Sequence, residues 1–176
     1  MITTLNEYRQ SINNSLIGYH GGLIEGPLRG PLFISLDKDE ALDFAYHHKD
    51  ANGGNLYEIE FKVNNPYKMF NKENSLAFVE LIRRAGLDIT IETHPNGGWN
   101  VSEKDMEYIR AHSPYYGDNL NDWVYVPEVR KQLLNEGYDS INSLDAVGPY
   151  EIEIYILLQP ENQAKIINTI VSPQPN

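Results

Sequence analysis

Three groups of residues in this chain carry side chains or backbone that could do chemistry: Tyr19-His20-Gly21-Gly22, then Phe33-Ile34-Ser35 with Phe44 and Tyr46 downstream, and last the alternating pair Glu151 and Glu153. Glycine lets a ligand approach the main chain, whose N–H and C=O can then satisfy both ends of an amide. Two rings that face each other can hold a flat heterocycle between them, worth about 0.5–1.5 kcal/mol per aromatic pair beyond area burial. Alternate residues of a strand share a face, so Glu151 and Glu153 present two carboxylates side by side. Each group also has a purely structural reading. His20 can end a strand while the glycines turn the chain, Phe44 can serve helix packing, and the glutamates can form the solvated face of an edge strand.

Several other chemistries are disfavoured by what the sequence lacks. It has no Cys, which removes disulfides, thiolate nucleophiles and thiolate metal ligands together. His47 and His48 form a pair, with His94 and His112 further on, but no His-x₃-His or similar ligand spacing occurs, so a metal site is not expected. Neither GxGxxG after a strand, nor a P-loop Gly-Lys-Ser/Thr, nor a Gly-x-Ser-x-Gly elbow is present.

To bring the three groups together, the chain must place them on neighbouring elements. LIGYHGG is a brief apolar run stopped by glycines and predicts a strand; the Gly/Pro-rich loop EGPLRGP leads to a second, PLFIS. Asp37 followed by Glu40 forms a capping-box spacing that starts a helix carrying Ala41, Leu42 and Ala45, stopped by ANGGN. From Leu56 to Val63 the side chains alternate, Tyr57, Ile59, Phe61 and Val63 against Glu58, Glu60 and Lys62, which predicts a half-buried strand. Ser75 to Ala85 predicts an amphipathic helix closed by Gly86, with Leu76, Val79 and Ile82 as its buried stripe. Pro127 and Gly137 bracket another helix, and GYDSI and YEIEIYILL follow as strands.

Thr3 to Ser15 has helical composition, and the tail after Val171 is expected to be loose. Between Leu87 and Tyr125 a strand at LDITIET and a helix from Ser102 to near His112 are the only local signals, and the segment from about 87 to 126 is expected to be an insertion. The length of 176 residues suits one domain with one core. Strands and helices interleave without βαβ rhythm, so the expectation is a single α+β domain with a mostly antiparallel sheet and flanking helices.

In their order and placement, the Tyr19-His20-Gly21-Gly22 strand end, Phe33-Ile34-Ser35 with Ala41 and Tyr46, and Gly137-Tyr138-Asp139 ahead of a Glu-bearing strand resemble the ADP-ribosyltransferase superfamily. The similarity is to its His-Tyr-Glu branch, with polymerases, diphtheria-type toxins and small phage and bacterial proteins, and covers roughly residues 16–66 and 128–167. The resemblance implies a split, mostly antiparallel sheet and NAD⁺ as substrate with no metal. His20 would bond the adenosine-side ribose, the Gly21 backbone would hold the nicotinamide carboxamide, and Phe33 with Phe44 or Tyr46 would sandwich the nicotinamide. The family usually has Tyr where Phe33 stands, so Ser35 is the residue left to bond the amide. A catalytic Glu is expected six positions before Pro160, which is Ile154 here; a one-residue bulge would bring Glu153 into that slot, whereas an unbulged strand would point it to the opposite face. The Glu151-x-Glu153 pattern also resembles the clostridial-toxin-like branch, in which the second Glu holds the ribose and the first helps activate the acceptor.

The resemblance therefore implies mono-ADP-ribosylation of a protein, as in an effector of phage or bacterial conflict. Two alternatives stay open: NAD⁺ hydrolysis, and a catalytically inactive, acidic binding or inhibitor protein. The formal net charge of −11 disfavours direct nucleic-acid binding and suits a basic protein partner. The segment from Glu92 to Trp123, with Trp99, Tyr115, Tyr116 and Trp123, suits either a partner-contacting loop or ordinary packing. No apolar run approaches the roughly 18 residues of a membrane span, and the amino terminus lacks a signal-peptide pattern, so a cytoplasmic protein is expected, in the host cytoplasm if phage-encoded.

Overall fold

The alternation seen from Leu56 onward becomes the strand on which one half of the core is built. In the computed structural model, which describes residues 15–47, 54–93, 99–113, 120–147 and 150–171, β3 (Asn55–Phe61) buries Tyr57, Ile59 and Phe61 on one face. Before it come β1 (Leu16–Gly22), β2 (Leu32–Ser35) and α1 (Lys38–His47); after it come β4 (Pro66–Met69), α2 (Lys72–Arg84), β5 (Ile91–Thr93), β6 (Trp99–Val101) and α3 (Glu103–His112). A 3₁₀ helix (Leu120–Tyr125), α4 (Pro127–Asn135), β7 (Ser140–Val147), β8 (Tyr150–Leu157), the single turn α5 (Pro160–Gln163) and β9 (Ala164–Val171) complete the order. The expected leading helix falls on residues outside the described ones, apart from Ser15, which is not helical.

Seven strands form one sheet in the order β4-β7-β8-β2-β1-β3-β9, in which only β4 and β7 run parallel; β5 and β6 make a separate antiparallel pair. This is an α+β fold with a mostly antiparallel sheet. One sheet face, through Ile141 and Ile156, packs on Phe78, Leu81 and Ile82 of α2, Val129 and Leu133 of α4, Ile109 of α3 and Trp123. The other face gathers Leu32, Ile34, Tyr57, Ile59, Phe61 and Leu157. Each such side chain taken fully out of water contributes about 1.5–3 kcal/mol.

Local signals and tertiary packing agree at most helix ends. Both α2 and α4 close in a Schellman turn: Gly86 (φ +90°) and Gly137 (φ +88°) take the left-handed position, with Leu87 N–H bonded to Ile82 and Tyr138 N–H to Leu133. Asp37 caps α1 through Oδ1, which accepts from the Asp39 and Glu40 N–H groups at 2.9 Å each. The expected capping box is not completed by Glu40, however, because the Asp37 N–H goes to Ser35 Oγ and the Glu40 carboxylate also turns to that hydroxyl.

One expectation is corrected. Leu76 is 45% exposed, and the buried stripe of α2 is Phe78, Val79, Leu81 and Ile82. At 100° per residue these four centre on a direction far from Leu76, which shares spacing with Val79 but lies outside the face that the sheet covers. The strands β4 and β9, not anticipated from the sequence, sit at the two sheet edges. No helix among the described residues is long and apolar enough to cross a membrane.

Candidate functional site

β1 carries Tyr19-His20-Gly21-Gly22 between β2 and β3, and it is paired with β3 along its whole length but with β2 at a single position, Tyr19↔Ser35. His20 is buried, and its ring contacts Tyr57, the residue opposite it on β3. Its Nδ1 lies 2.8 Å from the Phe33 carbonyl oxygen. A carbonyl can only accept, so Nδ1 carries the proton and, in the neutral ring, Nε2 is an acceptor. His20 lines a cleft of about 560 Å³ together with residues of the loop from Leu23 to Leu32 and with His112 and Tyr125. That volume falls within the about 300–1,000 Å³ usual for small-molecule sites. The start of that loop is held by Tyr57, whose hydroxyl accepts from the Ile24 N–H at 3.2 Å.

β8 lies on the other side of β2, and its register is regular: Ser35↔Ile154 and Ile34↔Tyr155 toward β2, Ser143↔Ile154 and Leu144↔Glu153 toward β7. The strand is therefore unbulged. Ile154 is buried on the face shared with Phe33 and Ser35, while Glu151 and Glu153 face the other way. His20 alternates with Tyr19, the partner of Ser35, and pairs with Tyr57, which packs with Ile34; Ile34 in turn pairs with Tyr155, so His20 and Glu153 belong to the same face of the sheet, on strands separated by β2.

Glu153 is half-buried, and its Oε1 accepts from Asn142 Nδ2 at 2.8 Å and from the Tyr155 hydroxyl at 3.0 Å. Burial, and then the adjacent Glu153 carboxylate, push the Tyr155 phenol up from its ordinary value, so it remains a donor. Glu151 is exposed two residues closer to the strand's start.

The remaining expected residues are distributed differently. Phe33 stacks on Tyr125 with ring centroids 5.5 Å apart and planes 7° apart, so one of its faces is occupied by a partner from the 3₁₀ helix. The Ser35 hydroxyl donates to Glu40 and accepts from the Asp37 N–H, and the pair is buried beneath the start of α1. Phe44 is exposed on α1, and the side chain of Tyr46 lies outside those described. Gly21 is pressed against α1 so closely that a Cβ would overlap the Ala41 carbonyl. The β1–β2 ladder stops at Tyr19, before the backbone of Gly21 and Gly22.

Sequence reasoning did not single out Asn142, Tyr155, Tyr125 or Arg29 of the cleft rim. The only available signal was alternation, which puts Tyr155 on the face of Glu153; the others depend on pairings between distant segments. In the 87–126 segment, Trp123 is core, whereas Tyr115 and Tyr116 lie outside the described residues. Among the described residues, no group of three or more His, Asp or Glu side chains is placed to hold a metal ion. No family model, curated protein or solved structure matches this chain.

Proposed function

We propose that this chain is an NAD⁺-dependent mono-ADP-ribosyltransferase that modifies a protein. The observation that carries the reading is that His20 and Glu153, brought from opposite ends of the sequence, stand on the same face of one sheet, on strands separated only by β2, with His20 lining a cleft. The adenosine-side ribose would donate a hydroxyl to His20 Nε2, and Arg29 and His112, which also line the cleft, would meet the diphosphate. The nicotinamide would approach the Gly21 backbone where β2 has left the ladder.

The C1′–N bond to nicotinamide breaks with its electron pair going to the pyridinium nitrogen, so the leaving group departs neutral and needs no general acid. Positive charge develops on the sugar, as in glycoside hydrolysis, and the Glu153 carboxylate stabilises it. The acceptor's lone pair then bonds C1′, and its proton is lost to Glu151 or to solvent. With water as acceptor, the same site is an NAD⁺ glycohydrolase.

A second reading, an inactive acidic binding protein, is favoured by the buried Ile154 in the slot where the polymerase-like pattern has Glu. Incubation with isotope-labelled NAD⁺ and lysate, beside a lysate-free control and the Glu153→Gln and His20→Ala variants, separates the readings. A labelled protein band that both variants lose supports transfer, and free ADP-ribose without lysate supports hydrolysis. Neither product, with binding to a basic partner that survives His20→Ala, would overturn the enzyme reading.

A further inference from the structure

Asn142 and Tyr155 form a direct cross-strand pair between β7 and β8, and Glu153 lies one step along the same face. Both residues spend a donor on the same carboxylate oxygen, Oε1, while no hydrogen bond to Oε2 occurs among the described residues. We infer that Asn142 and Tyr155 are positioning residues, which hold Glu153 by one oxygen and aim the other at a ribose hydroxyl; this rests on the NAD⁺ reading of the site.

Packing alone does not account for either side chain. The Tyr155 ring already packs on Phe61, a contact that Phe would keep, so its hydroxyl is superfluous to the core. Asn142 is 3% exposed, and its Oδ1 has no hydrogen-bond partner. A buried amide with one end unsatisfied is destabilising, and flipping it would turn Oδ1 against the carboxylate. An apolar residue would suit that buried position better if stability were its only role. Two donors on Oε1 fix the rotamer of the carboxylate, and so present Oε2 where the sugar cation forms.

The test measures nicotinamide release and NAD⁺ binding for the full chain and for Tyr155→Phe, Asn142→Ala, Glu153→Gln and the Tyr155→Phe/Glu153→Gln double variant, with melting curves to confirm folding. Tyr155→Phe and Asn142→Ala should each lower kcat about tenfold while the NAD⁺ Kd moves by less than about twofold, and the Tyr155→Phe loss should vanish in the Glu153→Gln background. Unchanged kcat in both single variants, or losses that multiply in the double variant, would overturn the positioning role while leaving the NAD⁺ reading intact. A wild-type chain that neither binds nor cleaves NAD⁺ would overturn both.

Discussion

The seating of α1 on β1 makes a sharp prediction at Gly21. Its backbone is not in the left-handed region, so alanine is conformationally admissible there. In the absence of contacts, Gly→Ala at such a site would stabilise by about 0.4–1 kcal/mol through the unfolded chain. Here a Cβ would lie 1.6 Å from the Ala41 carbonyl oxygen and 2.6 Å from the Ala45 nitrogen, both helix backbone atoms that no rotamer change can move. Relief requires lifting α1 from the sheet, which exposes the buried Ala41 and Ala45 and strains the Gly54 N–H bond to the Ala45 carbonyl. We expect Gly21→Ala to cost about 3 kcal/mol or more, at or above the upper end of ordinary overpacking, and to lower Tm by roughly 6–12 °C. Urea unfolding followed by circular dichroism measures it. Gly26→Ala is the control for strain without overlap, since Gly26 has φ +78° and open space around it; it should cost about 1–2 kcal/mol. A Gly21→Ala variant as stable as the wild type would refute the packing of α1 against β1.

Two further predictions concern stability. Phe78→Ala should cost about 3–5 kcal/mol and Leu76→Ala within about 0.5 kcal/mol, because only the first leaves a cavity; similar urea midpoints for the two would contradict the assigned face of α2. The Glu136 carboxyl is held below its ordinary 4.5, first by the Gln132 amide and then, against partial burial, by the Arg84 guanidinium. A depressed carboxyl stabilises fully above 4.5 and loses that contribution as pH falls through the lower folded value. Glu136→Gln should therefore be less stable than wild type at pH 7, with the difference shrinking on acidification; a difference independent of pH would refute it.

Much of the local structure was legible in the residues themselves. Gly86 and Gly137 after apolar periodic segments marked two helix ends, Ser102 and Asp37 two starts, and the alternation from Tyr57 to Phe61 a strand with one buried face. These signals are legible because each depends on atoms within a few residues of one another. The three candidate groups were also visible as residue types, and their strand placement held for β1, β2 and β8. Leu76 shows where local spacing fails: periodicity defines a stripe, but only the neighbouring sheet decides which stripe is covered. The same limit governs the site. Whether Glu153 or Ile154 looks toward His20 turns on one residue of register between β8 and β2, and that register is set by pairing across the sheet rather than by either strand alone. The stacking of Phe33 on Tyr125 likewise exists only once distant segments meet, and the hold of Asn142 on Glu153 only once β7 pairs with β8. Composition and spacing determined which chemical groups the chain possesses, whereas strand order and register, which depend on non-local hydrogen bonding and burial, decided which of them face one another.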